Sequence, residues 1–505
     1  MSATVITSSV IGLEGCKVDV ECDISPGLPA FHIVGLPDTA VQEARERVRS
    51  AMKHSDSPFP KTKITINLAP GDLKKSGTGF DLPVAIAILI AHGDLPRYDP
   101  FKRLLVGELA LDGSLRPVRG TLSTALLCMR LGIEELIVPT KNASEASMVK
   151  GVKILSATSL KDVVQHINGL HKLIALKPKK FITFKNPHCQ NDLSGIRGQE
   201  TAKRALEIAA AGGHNILLQG PPGSGKTLLA RSFAGILPAL THEEALDITR
   251  IHSVAGLLPK EGYVSERPFR SPHHTASGVS LVGGGSIPKP GEVSLAHRGV
   301  LFLDEFPEFS RSVLENLRQP LEDGFVTVSR AQGTVAFPAR FLLVAAMNPC
   351  PCGFLTDHDK ACSCTTQQLL LYRKRLSGPL LDRIDLSIEV PKVPTEDLVS
   401  LESGEPSESV RKRVQASRDR QRKKLKAANV LTNAEMTSDQ VRQLVDLTSE
   451  ARALMSKAVD KFRLSARAYF RLLKVSQTIA DLASSDEVGA EHISEALHYR
   501  RMPDA

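Results

Sequence analysis

The chain has 505 residues, with 64 Lys and Arg against 55 Asp and Glu, a formal charge of +9 and no tryptophan. At that length about three domains are expected; the longest apolar run, residues 82–91, is far short of the roughly 20 residues of a membrane span, and the N-terminus lacks a signal-peptide pattern. A soluble cytoplasmic protein is expected, its charge favouring an acidic polymer as partner, and its eight cysteines arguing for metal or free thiols before disulfides in a reducing compartment.

Residues 1–172 alternate strand-like and helix-like segments. Strands are predicted at 4–11, 18–24 and 30–34, a helix at 38–53, a strand at 63–67 and a buried helix from Leu82. A strand at 104–108, a helix at 122–131 and a strand at 135–138 follow. The pattern is that of an α/β domain with no phosphate loop of its own. A basic, proline-bearing stretch, 172–185, reads as a link, so 173–190 is set aside as linker. A nucleotide-binding domain is predicted over 191–393. A second link rich in Glu, Ser and Pro covers 394–408 and opens a helical domain, 394–505, with its clearest segments at 409–428, 438–448, 449–462 and 465–484. No internal repeat is visible.

The most informative residues are Gly220, Pro221, Pro222, Gly223, Ser224, Gly225, Lys226 and Thr227, which follow an apolar strand at 215–219. Glycines let backbone N–H groups turn onto phosphate oxygens, Lys226 brings a point charge to the β- and γ-phosphates, and the Thr227 hydroxyl is placed to ligate Mg²⁺. A helix over 228–237 adds its dipole to the anion site. A glycine-rich turn beside a surface lysine would spell the same way, but residues 299–305 supply the partner: an apolar strand ending in Asp304, to hold Mg²⁺, and Glu305, to polarise the attacking water. ATP and Mg²⁺ are therefore the expected ligands.

Thr227 and Asp304 lie 77 positions apart, too many for a helix, a strand and a second helix, so an insert is expected and is visible over 268–291. A helix at 311–321 and a hairpin follow, its strands at 324–330 and 333–337 joined by Ala331 and Gln332. The strand 341–347 ends at Asn348, a polar residue placed to orient water. Arg383, in Leu380-Leu-Asp-Arg383-Ile-Asp385, can reach a neighbouring subunit's nucleotide, and an arginine supplied in trans stabilises transition-state charge and makes the active unit an oligomer. Arg467 opens a helix as a second nucleotide-sensing arginine. For both arginines the alternative is a surface salt bridge.

Residues 191–505 resemble the AAA+ ATPases of the magnesium-chelatase-like group, with sensor 1 at Asn348, a finger arginine at Arg383 and sensor 2 at Arg467. The insert and hairpin resemble those of minichromosome maintenance helicases. That resemblance implies that both project into a ring's central pore, with Arg330 as the DNA-gripping residue and with Arg270, His273, His274 and Gln332 along a threaded strand. Over its whole length the chain resembles the bacterial ComM/YifB family. The family implies an α/β protein with a Lon-protease-like N-terminal domain, a P-loop ATPase core and a helical lid carrying sensor 2. It also implies a hexameric ATP-driven helicase acting on single strands and branched DNA junctions, with recombination proteins as partners, promoting branch migration during homologous recombination in natural transformation. Residues 71–88 and 106–127 resemble the Lon proteolytic domain and the C-terminal domain of the recombination factor RadA. The serine and lysine of a Lon dyad fall at Gly79 and Leu122, which cannot do nucleophilic chemistry, so peptidase activity is not expected. A chelatase-like remodeller of a protein partner is the rival reading.

Cys350-Pro-Cys352, nine residues, then Cys362-Ser-Cys364 gives paired thiols that a short loop can fold into a tetrahedral site, with Zn²⁺ the default occupant. The alternative is four reduced cysteines in a loose loop. Residues 411–426 hold nine basic residues in sixteen, a run that can track a phosphate backbone or form a solvated helix. With only 4% aromatic residues, base stacking is a weak theme, and backbone-directed, salt-sensitive binding is expected.

Overall fold

Every residue from Asp81 to Ala91 is buried, and a helix apolar all round is one wrapped by its own domain. In the computed structural model, which describes residues 2–177, 191–285, 288–330, 333–357, 359–393, 404–428 and 430–500, this helix (Asp81–His92) packs on the long strands Ser2–Ile11 and Glu14–Ser25. The turn between those strands puts Gly12 at φ 59°, the left-handed backbone that tight hairpins demand. The mixed eight-stranded sheet runs Ala175–Leu176, Lys153–Ala157, Glu135–Pro139, Arg103–Leu105, Ser2–Ile11, Glu14–Ser25, Lys63–Ala69, Ala30–Val34. The sequence reading placed the strand Ala30–Val34 and the helix Thr121–Leu131 closely. It missed the strand Lys153–Ala157 and the helices Thr140–Ala146 and Leu160–Ile167.

The chain divides into two units, Met1–Ile182 with His242–Ser265, and Thr183–Thr241 with Glu266–Ala505. The helix His242–Ala255, absent from the sequence reading, therefore completes the first unit although it lies between two strands of the second. Buried polar bonds fasten it. The Gly120 amide donates to Ser253 Oγ at 3.0 Å, the Ser253 hydroxyl bonds Glu145, and the Leu122 amide donates to the same carboxylate at 2.7 Å. Arg250 reaches the Leu13 carbonyl at 2.8 Å and Glu14 at 2.5 Å. Burial pushes the Glu145 carboxyl up to about 7. Since the proton is held more tightly folded than unfolded, this group favours the folded unit at low pH and loses that effect as pH climbs from about 4.5 to about 7. The N-terminal unit is expected to weaken by up to about 3 kcal/mol between pH 5 and pH 8 through this group, and a Glu145→Gln chain to weaken less. Urea unfolding followed by hydrogen exchange in 121–146 at both pH values checks it.

The second unit holds five parallel strands in the order Phe269–Arg270, Val300–Leu303, Leu342–Met347, Ile216–Gln219, Leu386–Glu389. Leu218, Phe233 and Val344 share one apolar core with Val414, Leu473, Ile479 and Ile493 of the C-terminal helices. Those helices include Ser407–Lys424, Ser438–Leu444, Ser449–Phe462, Ala466–Leu482 and Ala490–His498, and Thr437, Thr448 and Ser465 cap three of them. The helix expected over 311–321 is two, Arg311–Glu315 and Arg318–Asp323. Pro320, without an N–H and with a ring that crowds the preceding turn, prevents one continuous helix. The basic run lies on Ser407–Lys424 and is partly spent internally. Arg413 binds Glu207 at 2.6 Å, Arg418 donates to the Ala210 carbonyl at 2.9 Å, and Arg420 binds Asp486 at 2.5 Å. Among the described residues, no helix is long and apolar enough to cross a membrane.

Candidate functional site

In a parallel sheet the loops at the carboxyl ends of the strands converge, and register decides which residues meet. Gln219 pairs with Met347 and Leu303 with Ala345, so Gly220, Asp304 and Asn348 leave adjacent strands at one edge. Only glycine fits at 220, where a Cβ would stand 2.1 Å from the Val390 carbonyl oxygen. Gly223 and Gly225, at φ 80° and 88° with nothing within 4 Å of a built Cβ, turn the loop and leave open space above it. Lys226 opens the helix Lys226–Ile236. Its ammonium donates to the Gly220 and Pro221 carbonyls at 2.7 and 2.8 Å and to Asn348 Oδ1 at 3.3 Å. Burial lowers its pKa, so the charge is held where an anion would repay its desolvation. Thr227 Oγ1 donates to Asp304 Oδ2 at 2.8 Å, bringing together the two side chains that would hold a magnesium ion. Ser224 Oγ is buried without a partner among the described residues, an orphaned donor in a loop whose other donors suit phosphate oxygens. The residues present fit a nucleoside triphosphate with Mg²⁺.

Glu305 sits at φ 51°, a left-handed conformation that costs a non-glycine residue energy and recurs at functional sites. Its amide bonds Asp304 Oδ1 at 3.0 Å, and its carboxylate lies 3.3 Å from His274 Nδ1. His274 stacks on His273 with ring centroids 4.2 Å apart. Two residues expected on a pore insert thus adjoin the Asp-Glu pair. The signal was in the register: Arg270 pairs with Leu301, and the same offset continued sets His274 beside Glu305. Arg270 itself is doubly bonded to Glu292, at 2.6 and 2.7 Å. Arg330 ends its hairpin strand opposite Gly333; Gln332 lies outside the described residues.

Arg383 and Arg467 lie elsewhere. The Asp385 and Leu386 amides donate to the Asn215 carbonyl at 2.9 and 3.0 Å, which fixes Arg383 at the amino-terminal edge of the sheet. From there to the phosphate loop is the length of the strand Ile216–Gln219, roughly 10 to 13 Å at 3.3 Å per residue. Arg383 binds Glu322 at 2.6 Å. That bond, with the charges of Arg383 and Arg467, holds the Glu322 carboxyl below its usual range. Both arginines therefore face one acidic side chain remote from their own phosphate loop.

The four cysteines that follow Asn348 converge, with all four sulfurs within 4.8 Å of one another. Cys350 and Cys352 stand 3.3 Å apart, Cys350 and Cys362 3.7 Å, and Cys352 and Cys362 3.5 Å. The Phe354 amide bonded to Cys352 pulls its thiol down to about 5, whereas burial pushes the Cys350 thiol up. In the other unit, Gly79 and Leu122, the positions that the sequence aligns with a Lon dyad, offer neither hydroxyl nor amine. The Gly79 carbonyl accepts the Gly107 amide at 3.1 Å, and the Leu122 side chain is buried.

Comparison of the sequence with known proteins points to the magnesium-chelatase-like group. The family profile "Subunit ChlI of Mg-chelatase" matches residues 20–142, "Magnesium chelatase, subunit ChlI" residues 192–398, and "Magnesium chelatase, subunit ChlI C-terminal" residues 404–500. The chain is 46% identical over 503 residues to the uncharacterized protein YifB of Escherichia coli, covering 99% of this chain and 97% of that one. It is 45% identical over 505 residues to the competence protein ComM of Haemophilus influenzae, with 99% and 97% coverage. An uncharacterized protein of Mycobacterium tuberculosis is 41% identical over 495 residues, with 98% and 97% coverage.

Proposed function

Because the chain belongs to the ComM/YifB family of magnesium-chelatase-like AAA+ proteins, we propose that it is an ATP-driven, ring-forming DNA helicase that moves branched DNA during homologous recombination. In this reading the N-terminal domain, 1–172, keeps a Lon-protease-like fold without its dyad, 191–393 is the motor core apart from His242–Ser265, which belongs to the first unit, and 394–505 is a lid. The observation that carries the reading is the split site: Lys226, Thr227, Asp304 and Asn348 at one edge of the sheet, Arg383 and Arg467 at the other. A site divided in this way is completed by a neighbouring copy, and head-to-tail contacts of that kind close into rings; six copies is our proposal. Lys226 binds the β- and γ-phosphates, Glu305 accepts the proton of the attacking water, Asn348 orients that water, and the neighbour's Arg383 meets the charge that develops on the leaving group. A magnesium ion held by Thr227 and Asp304 would neutralise phosphate charge.

DNA is favoured as the track by the net charge of +9 and by the competence protein among the relatives. Arg330, at the end of a hairpin strand, grips the phosphate backbone, with His273 and Gln332 as the proposed companions, in a cytoplasmic protein working beside recombination partners; Arg270 and His274 are engaged by Glu292 and Glu305 instead. The profile names favour one other reading, a chelatase-like remodeller of a protein partner. ATP hydrolysis measured without DNA, with single strands, with linear duplex and with a four-way junction separates the two. Strong stimulation by DNA that weakens as salt rises, together with junction unwinding, is the expected result. Arg330→Ala is expected to keep basal hydrolysis and lose the stimulation. An ATPase indifferent to every nucleic acid would refute the DNA reading, whereas an Arg330→Ala chain that unwinds normally would refute the assignment of Arg330 to the pore.

A further inference from the structure

We propose that Cys350, Cys352, Cys362 and Cys364 bind a single zinc ion as a four-sulfur site, and that this ion holds the phosphate loop and Asn348 in their working positions. The second half rests on the nucleotide reading above. The sulfurs of Cys350, Cys352 and Cys362 are packed at 3.3 to 3.7 Å, all four lie within 4.8 Å of one another, and none is bonded to another, since all four cysteines are free. A tetrahedron with zinc–sulfur bonds of about 2.3 Å has sulfur–sulfur edges of about 3.8 Å, so the observed spacing suits one central ion. Thiolate donors in this geometry select zinc over harder cations. Backbone amides support the sulfurs, with Cys352 N–H 3.4 Å from Cys364 Sγ and Cys364 N–H 3.5 Å from Cys362 Sγ, as outer groups do in metal sites.

Three contacts join this loop to the phosphate site. Cys350 stands two residues after Asn348, whose Oδ1 accepts from Lys226 at 3.3 Å. Tyr372 Oη donates to the Asn348 carbonyl at 3.1 Å, from the helix Thr366–Lys374 that begins just past Cys364. Gly353, between the cysteine pairs, lies against Pro222 so closely that a Cβ would stand 2.7 Å from its ring. Nine residues separate the two pairs; Lys392 ties that stretch through Asp357 at 2.7 Å, and a shared ion would draw both cysteine pairs together beside the phosphate loop. Metal binding is then part of the folding free energy of the nucleotide site itself.

The test uses the full chain. Elemental analysis by plasma mass spectrometry should find one zinc per chain, and almost none in a Cys352→Ser/Cys362→Ser chain. Removing zinc from the folded parental protein, with circular dichroism unchanged, should raise the Kd of a fluorescent ATP analogue about tenfold, and added zinc should restore it. Gly353→Ala should keep its zinc yet show the same loss, because its methyl meets Pro222. That variant decides the coupling should the stripped protein unfold. Absence of metal, or iron in its place, would overturn the site. An unchanged Kd on stripping, with an unchanged Kd in Gly353→Ala, would overturn the coupling. A zinc-loaded chain that binds no nucleotide would instead overturn the reading of the phosphate loop, with the metal count still deciding the cluster.

Discussion

An Arg383→Ala chain is expected to hydrolyse ATP at no more than about a thousandth of the parental rate, and mixing it with an equally inactive Lys226→Ala chain is expected to bring hydrolysis back. The first chain keeps its phosphate loop and lacks the arginine; the second keeps the arginine and lacks the lysine. In a randomly mixed ring about a quarter of the interfaces pair an intact loop with an intact arginine, so recovery should approach that fraction of the parental rate. The basis is distance: Arg383 sits at the amino-terminal edge, tied through Asn215, a full strand away from its own Lys226. Hydrolysis by Arg383→Ala at the parental rate would remove the arginine from the chemistry. Loss of activity without recovery on mixing would mean that it serves its own subunit or only its partner Glu322.

Glu305→Gln should separate binding from hydrolysis. The amide keeps the shape of the carboxylate but cannot accept the proton of the attacking water, and general-base removal typically costs 10² to 10⁴ in rate, so turnover should fall by about that factor while ATP still binds. Lys226→Ala should lose binding as well, because its ammonium is the buried cation that the loop carbonyls and Asn348 hold in place. Filter binding of ATP beside a phosphate-release assay distinguishes the two variants. A Glu305→Gln chain that turns over normally would assign the base elsewhere and leave the left-handed backbone at 305 without a catalytic account.

The parts of the site that could be read from the sequence are those spelled by contiguous residues. The glycines at 220, 223 and 225 and the Asp-Glu pair at a strand end each state their chemistry locally, and the helix Ser449–Phe462 is bounded by its Thr448 cap. Pairs made by packing of distant segments were not legible in the same way. His274 meets Glu305, and Arg383 meets Glu322, across intervals that no propensity describes. Arg270 read as a free cation, because nothing near it in the sequence announces Glu292. The Ala-rich helix Glu200–Gly212 was missed since small residues give little periodic contrast. The cysteines were legible as a spacing, yet their approach to Pro222 depends on Gly353, whose φ of 87° only the folded backbone reveals.

The helix His242–Ala255 has a bearing on how this protein is made. Its buried residues Ala245, Ile248 and Ile251 belong to the first unit, yet they leave the ribosome only after the phosphate loop has done so. A nascent chain stalled near residue 240 would hold a first unit with Ser253 still missing from Glu145, so domain-by-domain maturation from the N-terminus has to pause here for a segment synthesised late. For the same reason a deletion of residues 1–190 would not excise a module. It would leave the apolar face of this helix without the surface it was made to cover, and genetic dissection of the two units needs a cut that also replaces 242–265.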